Sequence, residues 1–137
     1  MKVLVMYADE FGYSPARKNL EKAEEVTSGK EFTDCILAFI QVEESDEEFE
    51  VKSREKKLVN HLKWTARKNN CKKIVLHSFA HLSDSKASAE YTKKLFDLAE
   101  ARLQNGGYST AQTPWGYFLD LSLKAPGHSL ARIWASL

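Results

Sequence analysis

The sequence predicts an α/β domain built on a mixed β-sheet with two main helices, and three observations carry that reading. Short apolar runs rich in strand-forming residues occur at 2–8, 35–42 and 73–78. Two longer segments, 51–69 and 88–105, place their apolar residues at helical spacing. Beyond residue 107 the large apolar residues alternate singly, with a period of two. Strands and helices that alternate mid-chain, followed by strands that pair at the end, describe a mixed sheet with helices packed on it.

Residues 2–8 (KVLVMYA) predict a first strand. Residues 10–33 are polar, carry Gly12, Pro15 and Gly29, and read as a loop with at most one short helix. The run 35–42 (CILAFIQV) predicts a buried strand, and the acidic stretch 43–50 an exposed connection. In 51–69, Val51, Leu58, Leu62 and Thr65 share one helical face, while Lys52, Lys56, Lys63 and Arg67 share another. Asn69-Asn70 stops that helix, and 73–78 (KIVLHS) predicts the next strand. Ser88 suits the N-cap of the second helix, whose inward residues are Tyr91, Leu95, Leu98 and Ala99, and Gly106-Gly107 suits its end. Strands are expected at 107–112 and 115–124, the latter with Trp115, Tyr117, Leu119, Leu121 and Leu123 on one buried face. After the turn at Pro126-Gly127, residues 129–137 suggest a last helical turn.

A length of 137 residues with 43% apolar and 28% charged residues suits one self-sufficient domain spanning 1–137. No apolar run approaches the roughly 20 residues that cross a bilayer, and no signal peptide opens the chain. Cys35 and Cys71 stand far apart and match no ligand spacing, which points to a reducing, cytosolic compartment. The net charge of +1 conceals a division. Residues 1–50 hold 5 Lys/Arg and 13 Asp/Glu, a balance of −8; residues 51–137 hold 15 and 6, a balance of +9. Such asymmetry is compatible with a nucleic-acid face on the basic part, and equally with mutual attraction or plain solvation.

The chemistry-bearing candidates are Ser78-Phe79-Ala80-His81-Leu82-Ser83, Thr113-Pro114-Trp115-Gly116-Tyr117-Phe118, and Gly127-His128-Ser129-Leu130. The first follows a predicted strand directly, and strand ends are where α/β sheets bind ligands. His81 suits either a site or a hydrogen-bonded core position. The aromatics at 115, 117 and 118 suit either a core or a base-stacking surface. His77 and His81 flank a strand end without further converging ligands, no Gly-rich phosphate loop is present, and Cys35 opens a buried run. Nothing in the sequence calls for a metal or cofactor.

Taken in order, these segments resemble one family. Asp9 closes the first strand. Ala38-Phe39-Ile40, Val42 and Glu43 follow, then Phe79-Ala80-His81-Leu82-Ser83, Pro114-Trp115-Gly116-Tyr117, and Gly127-His128 with Leu130-Ala131. This order and spacing is similar to the N-terminal editing domain of archaeal threonyl-tRNA synthetase. The resemblance implies a layered D-aminoacyl-tRNA deacylase-like fold, a homodimer, and hydrolysis of serine from mischarged tRNA(Thr). A synthetic site discriminates poorly against a substrate lacking one methyl, by only about 1–3 kcal/mol. A second site must therefore do so.

By the same resemblance His81 is the catalytic candidate. Val42, Phe79, Ala80, Trp115, Gly116, Tyr117, Leu119 and His128 are the substrate-binding candidates, with Trp115 near the terminal adenosine. The basic face Lys52, Lys56, Lys63 and Arg67 is the candidate tRNA contact. The implied partners are the aminoacylated 3′ end of tRNA, a second copy of the chain and a synthetase body. Three positions depart from the family pattern. Leu119 stands where the family has lysine, Arg132 where it has glutamate, and Tyr7-Ala8 where it has His-Ser. These departures keep open an alternative, a catalytically degenerate tRNA-binding or regulatory/interaction module of the same fold.

Overall fold

The computed structural model describes residues 1–137. Its elements in chain order are β1 (Lys2–Lys18), β2 (Lys30–Gln41), a 3-10 turn (Glu44–Glu48), α1 (Val51–Lys68), β3 (Lys73–Ser78), α2 (Ala89–Asn105), β4 (Ser109–Gln112), β5 (Tyr117–Lys124), a second 3-10 turn (Ser129–Ala131) and β6 (Arg132–Ser136). One mixed sheet runs β4-β3-β2-β1-β5, with β6 also on β1. The pairs β2–β3 and β3–β4 are parallel and are joined through α1 and α2, whereas β1 is antiparallel to β2, β5 and β6.

The helices cover one face of the sheet. In α1, Leu58, Val59, Leu62, Thr65 and Ala66 are buried, and in α2 Leu95, Phe96, Ala99 and Leu103. Both sets recur every three to four residues, so each helix turns one stripe to the sheet. There they meet Val3, Val5, Ile36, Ala38, Ile40, Ile74 and Leu76 in the larger core cluster. A smaller cluster of Ala8, Phe11, Cys35, Leu37, Phe39 and Val75 lies on the other face. Burial pushes the Cys35 thiol up to about 11, which makes it an inert packing group. Both helices end as the sequence suggests. Asn70 (φ 49°) and Gly107 (φ 88°) adopt the left-handed conformation, and Cys71 and Tyr108 donate back to Ala66 and Leu103. Ser88 caps α2 by accepting from the Tyr91 N–H at 3.2 Å. Of the expected inward residues, Leu98 is only half-buried, and Phe96 takes its place in the core.

The loop expected over 10–33 is largely strand. β1 continues to Lys18 and β2 starts at Lys30, because this stretch is paired by β2 on one side and β5 on the other. Such two-sided pairing overrides the weak local preference of a polar segment with Gly and Pro. β1 also curls. Straight, its 17 residues would span about 55 Å. Yet Gln41, which pairs with Lys2, and Asn19, which follows Lys18, line the same cavity. The β1–β2 ribbon therefore folds back on itself. Its ladder is interrupted at Asp9 and Asp34, where Asp34 has φ 49°.

The end of the chain also differs from expectation. Only 129–131 form a helical turn; Arg132–Ser136 add β6 along the start of β1, with Lys2 opposite Ser136. The apolar face expected on β5 is not covered, since Leu121 and Leu123 are 40% and 38% exposed. β5 is the last strand in the sheet order, so no neighbouring strand packs beyond it.

Candidate active site

The curl of β1 and the strand ends enclose a cavity of about 420 Å³. Ile40, Gln41 and Val42 come from the end of β2, and His77, Ser78 and Ala80 from the end of β3. Ala89, Thr92 and Phe96 come from the start of α2, and residues 113–118 cross over between β4 and β5. Asn19 and Leu20 close it from the end of β1. The position, outside the carboxyl ends of parallel strands, is where α/β sheets hold ligands. Lys86 is the one charged side chain on the wall.

The loop after β3 is held by side chains of β2. Gln41 is 3% exposed in a strand otherwise apolar at that point. Its carbonyl oxygen accepts from the Leu82 and Ser83 N–H groups at 2.6 and 2.8 Å, and its amide nitrogen donates to the Ser83 and Ser85 carbonyls, both at 2.9 Å. Next along the chain, Glu43 accepts from the Ser83 hydroxyl at 2.6 Å and from the Met1 ammonium at 2.8 Å. The ammonium, and then the hydroxyl, hold the Glu43 carboxyl down at about 2. Asp46 ties in Arg54 at 2.7 Å.

His77 and Thr113 form a polar patch on the wall. Both are buried, and His77 Nδ1 lies 2.8 Å from Thr113 Oγ1. Burial lowers the imidazole to about 4, so the ring is neutral at pH 7. The opposite character comes from Trp115, whose ring meets Phe96 edge-on at 5.8 Å with the Lys93 ammonium over it at 5.9 Å. Gly116 joins the two sides. Its carbonyl accepts from Asn19 and Leu20 N–H at 2.8 and 3.3 Å. Its φ is +81°, and a Cβ there would lie 2.7 Å from the Cβ of Ala23.

Comparison with known proteins matches residues 1–137, the whole chain, to the Archaea-specific editing domain of threonyl-tRNA synthetase. The chain belongs to this editing-domain family. Relatives of the editing domain include the threonine–tRNA ligase of Methanopyrus kandleri, 31% identical over 135 residues, and that of Cenarchaeum symbiosum, 29% identical over 131. These matches cover 97% and 96% of this chain but 21% and 20% of the ligases, so the chain spans about a fifth of their length. Among solved structures, the c-Myc DNA Unwinding Element Binding Protein superposes with a TM-score of 0.65 at 10% identity. That match covers 100% of this chain and 99% of the other, and at such identity it speaks for the fold alone. The architecture, a mixed six-stranded sheet with two main helices, is the α/β fold expected from the sequence.

Within this editing domain, Val42, Ala80, Trp115, Gly116 and Tyr117 come together on the cavity wall. Phe79, His81, Leu119 and His128 do not line it. His81 is exposed and stands edge-on to Phe79 at 4.9 Å between ring centres. Leu119 is half-buried in β5 opposite Pro15, and His128 is exposed ahead of the second 3-10 turn. Arg132 is exposed and donates to the Pro126 carbonyl at 3.1 Å. On α1, Lys52, Lys56 and Arg67 are exposed and Lys63 half-buried, and none of the four is in an ion pair. The Lys63 stem packs against Gly106, at the far end of α2 from the cavity. No helix is long and apolar enough to cross a membrane.

Sequence reasoning missed Asn19 and Leu20, the pairing of His77 with Thr113, the clamp Gln41 and the lone cation Lys86. A glutamine inside an apolar strand and a histidine at a strand end were the available signals, and both have bland readings in isolation.

Proposed function

We propose that this domain hydrolyses the ester linking serine to the 3′ end of tRNA(Thr), in the cytosol and as part of a threonyl-tRNA synthetase assembly. The observation that carries the reading is the character of the cavity in a chain of this family. One side is aromatic, from Trp115 and Phe96, and suits a stacked terminal adenine. The other, with His77, Thr113 and Ser78, suits a small polar amino acid. Val42 and Ala80 are the residues whose bulk would refuse the additional methyl of threonine, and a steric refusal is what an editing sieve needs.

The cavity wall holds no carboxylate. The attacking water is therefore oriented by backbone groups and by the substrate's own ribose hydroxyl, and the oxyanion of the tetrahedral intermediate takes backbone donors. The Phe79 N–H is already bonded to the Ile40 carbonyl at 3.0 Å, while the Ala80 N–H has no backbone acceptor. Ala80 is thus the donor to the oxyanion. His81, exposed beside Phe79, serves at the rim, where the RNA enters. The stem of the tRNA runs along Lys52, Lys56, Lys63 and Arg67, whose free charges suit a phosphate backbone. The exposed Leu121, Leu123 and Trp134 are the apolar surface that a second copy of the chain covers.

The experiment is deacylation of Ser-tRNA(Thr), with Thr-tRNA(Thr) as control. Loss of serine but not threonine is expected; no loss above the buffer rate overturns the deacylase reading. One observation favours the second reading, a tRNA-binding module without turnover: Lys86 is the wall's lone charged side chain. That reading expects salt-dependent tRNA binding, weakened by replacing the four basic residues of α1 with alanine, and no hydrolysis.

A further inference from the structure

We infer that His77 is a specificity-determining residue, whose ring reads a hydroxyl on the aminoacyl group in the cavity; this rests on the reading of the cavity as an aminoacyl-tRNA site. His77 and Thr113 are only 6% and 7% exposed, and both line the cavity. The imidazole is fixed from three directions. Thr113 Oγ1 holds Nδ1 at 2.8 Å, Phe39 meets the ring edge-on at 5.4 Å, and Phe79 lies against it at 5.8 Å. Nε2 has no partner in the protein. It is not among the fully enclosed unpaired atoms either, which are Arg54 Nε and His61 Nε2. His77 lines the cavity, and Nε2 is the ring nitrogen left unpaired for a ligand bound there.

The Thr113 hydroxyl can donate to Nδ1 or accept from it, so the neutral ring can present either a lone pair or an N–H at Nε2. A serine hydroxyl is both donor and acceptor and satisfies either form. An alanine side chain satisfies neither and leaves Nε2 desolvated without a partner. Sites built this way reject the analogue that lacks the hydroxyl, because their own polar group is left unpaired. Threonine carries the same hydroxyl, so His77 does not separate serine from threonine. The site thus applies two independent filters, a hydroxyl demanded by His77 and a methyl refused by the walls.

The test is calorimetric binding of seryl- and alanyl-adenosine analogues in which a 3′-amide replaces the ester. These cannot be hydrolysed, so binding is read whether or not the domain turns over substrate. The wild-type domain is expected to prefer the seryl analogue by about ten- to a hundred-fold. In His77→Phe the preference falls to near unity while alanyl affinity stays level. Thr113→Val, which keeps the ring, reduces the preference by a smaller factor. Nitrogen NMR of the wild-type His77 ring, which needs no variant, shifts with the seryl but not the alanyl analogue. An unchanged preference in a folded His77→Phe, no preference in the wild type, or no binding of either analogue overturns the inference. Failure of the deacylase reading looks different: no turnover of Ser-tRNA(Thr) with the seryl preference intact.

Discussion

Gln41 and Ser83 pair as if two strands met: the glutamine side-chain carbonyl accepts from the Ser83 N–H at 2.8 Å, and its amide donates to the Ser83 carbonyl at 2.9 Å. With the bonds to Leu82 and Ser85, one side chain replaces the ladder that a loop lacks. Gln41→Ala removes all four bonds and is expected to destabilise the domain by about 2–4 kcal/mol. Gln41→Glu keeps the shape but sets a carboxylate oxygen against two carbonyls, and should be at least as harmful. Urea denaturation measures both, and faster exchange of the Leu82 and Ser83 amides in Gln41→Ala locates the loss.

Stability should depend on pH through His77. Burial lowers its folded pKa to about 4 from an ordinary 6.5. Between these values the unfolded chain binds the proton and the folded chain does not, so stability rises with pH. It is fully present above about 6.5 and is lost as the pH falls to about 4, below which His77 adds no further loss. His77→Phe should flatten this part of the curve. Denaturation midpoints taken at intervals from pH 4 to 7.5 check it, and an equal slope in both proteins contradicts it.

Gly116→Ala should cost about 1–3 kcal/mol, because the left-handed backbone and a contact 2.7 Å from Ala23 both resist a Cβ. The shift separates Gly116 from Asn19 and Leu20, so tRNA affinity should fall along with the melting temperature.

Trp115→Ala removes the edge-on contact with Phe96 and the site beneath the Lys93 ammonium. Affinity for adenosine-terminated RNA should fall about ten-fold or more. Because Trp115 is half-buried rather than core, thermal stability should change far less.

Leu119→Lys should leave deacylation unchanged, since residue 119 lies in β5 opposite Pro15 and off the cavity wall. A large gain in rate on Ser-tRNA(Thr) would show that the site extends beyond the cavity described.

Much of the fold was legible where local rules decide it. The apolar stripe Leu58, Leu62, Thr65, the Ser88 cap and the two left-handed helix ends are set by residues within a turn of one another. Residues 10–18 were not legible, because their strand is imposed by pairing with Leu121 and Leu123, more than a hundred positions away. Part of the cavity wall was legible in the motif at 114–117. The remainder, Gln41 and His77, was hidden in strands whose composition is mostly apolar, and a polar residue there gains meaning only from what stands opposite.

The fold-back of β1 has a consequence for the order of assembly. The parallel strand pairs join residues 36 to 38 positions apart, which meet sooner than more distant ones. The cavity needs Asn19 and Leu20 at the Gly116 carbonyl, a junction closed across nearly a hundred residues. During synthesis the amino-terminal ribbon must wait for residues 113–118 before it has anything to close upon. The site should thus be completed late, and a nascent chain released before that point would present the ribbon as an open edge, available to the wrong partner.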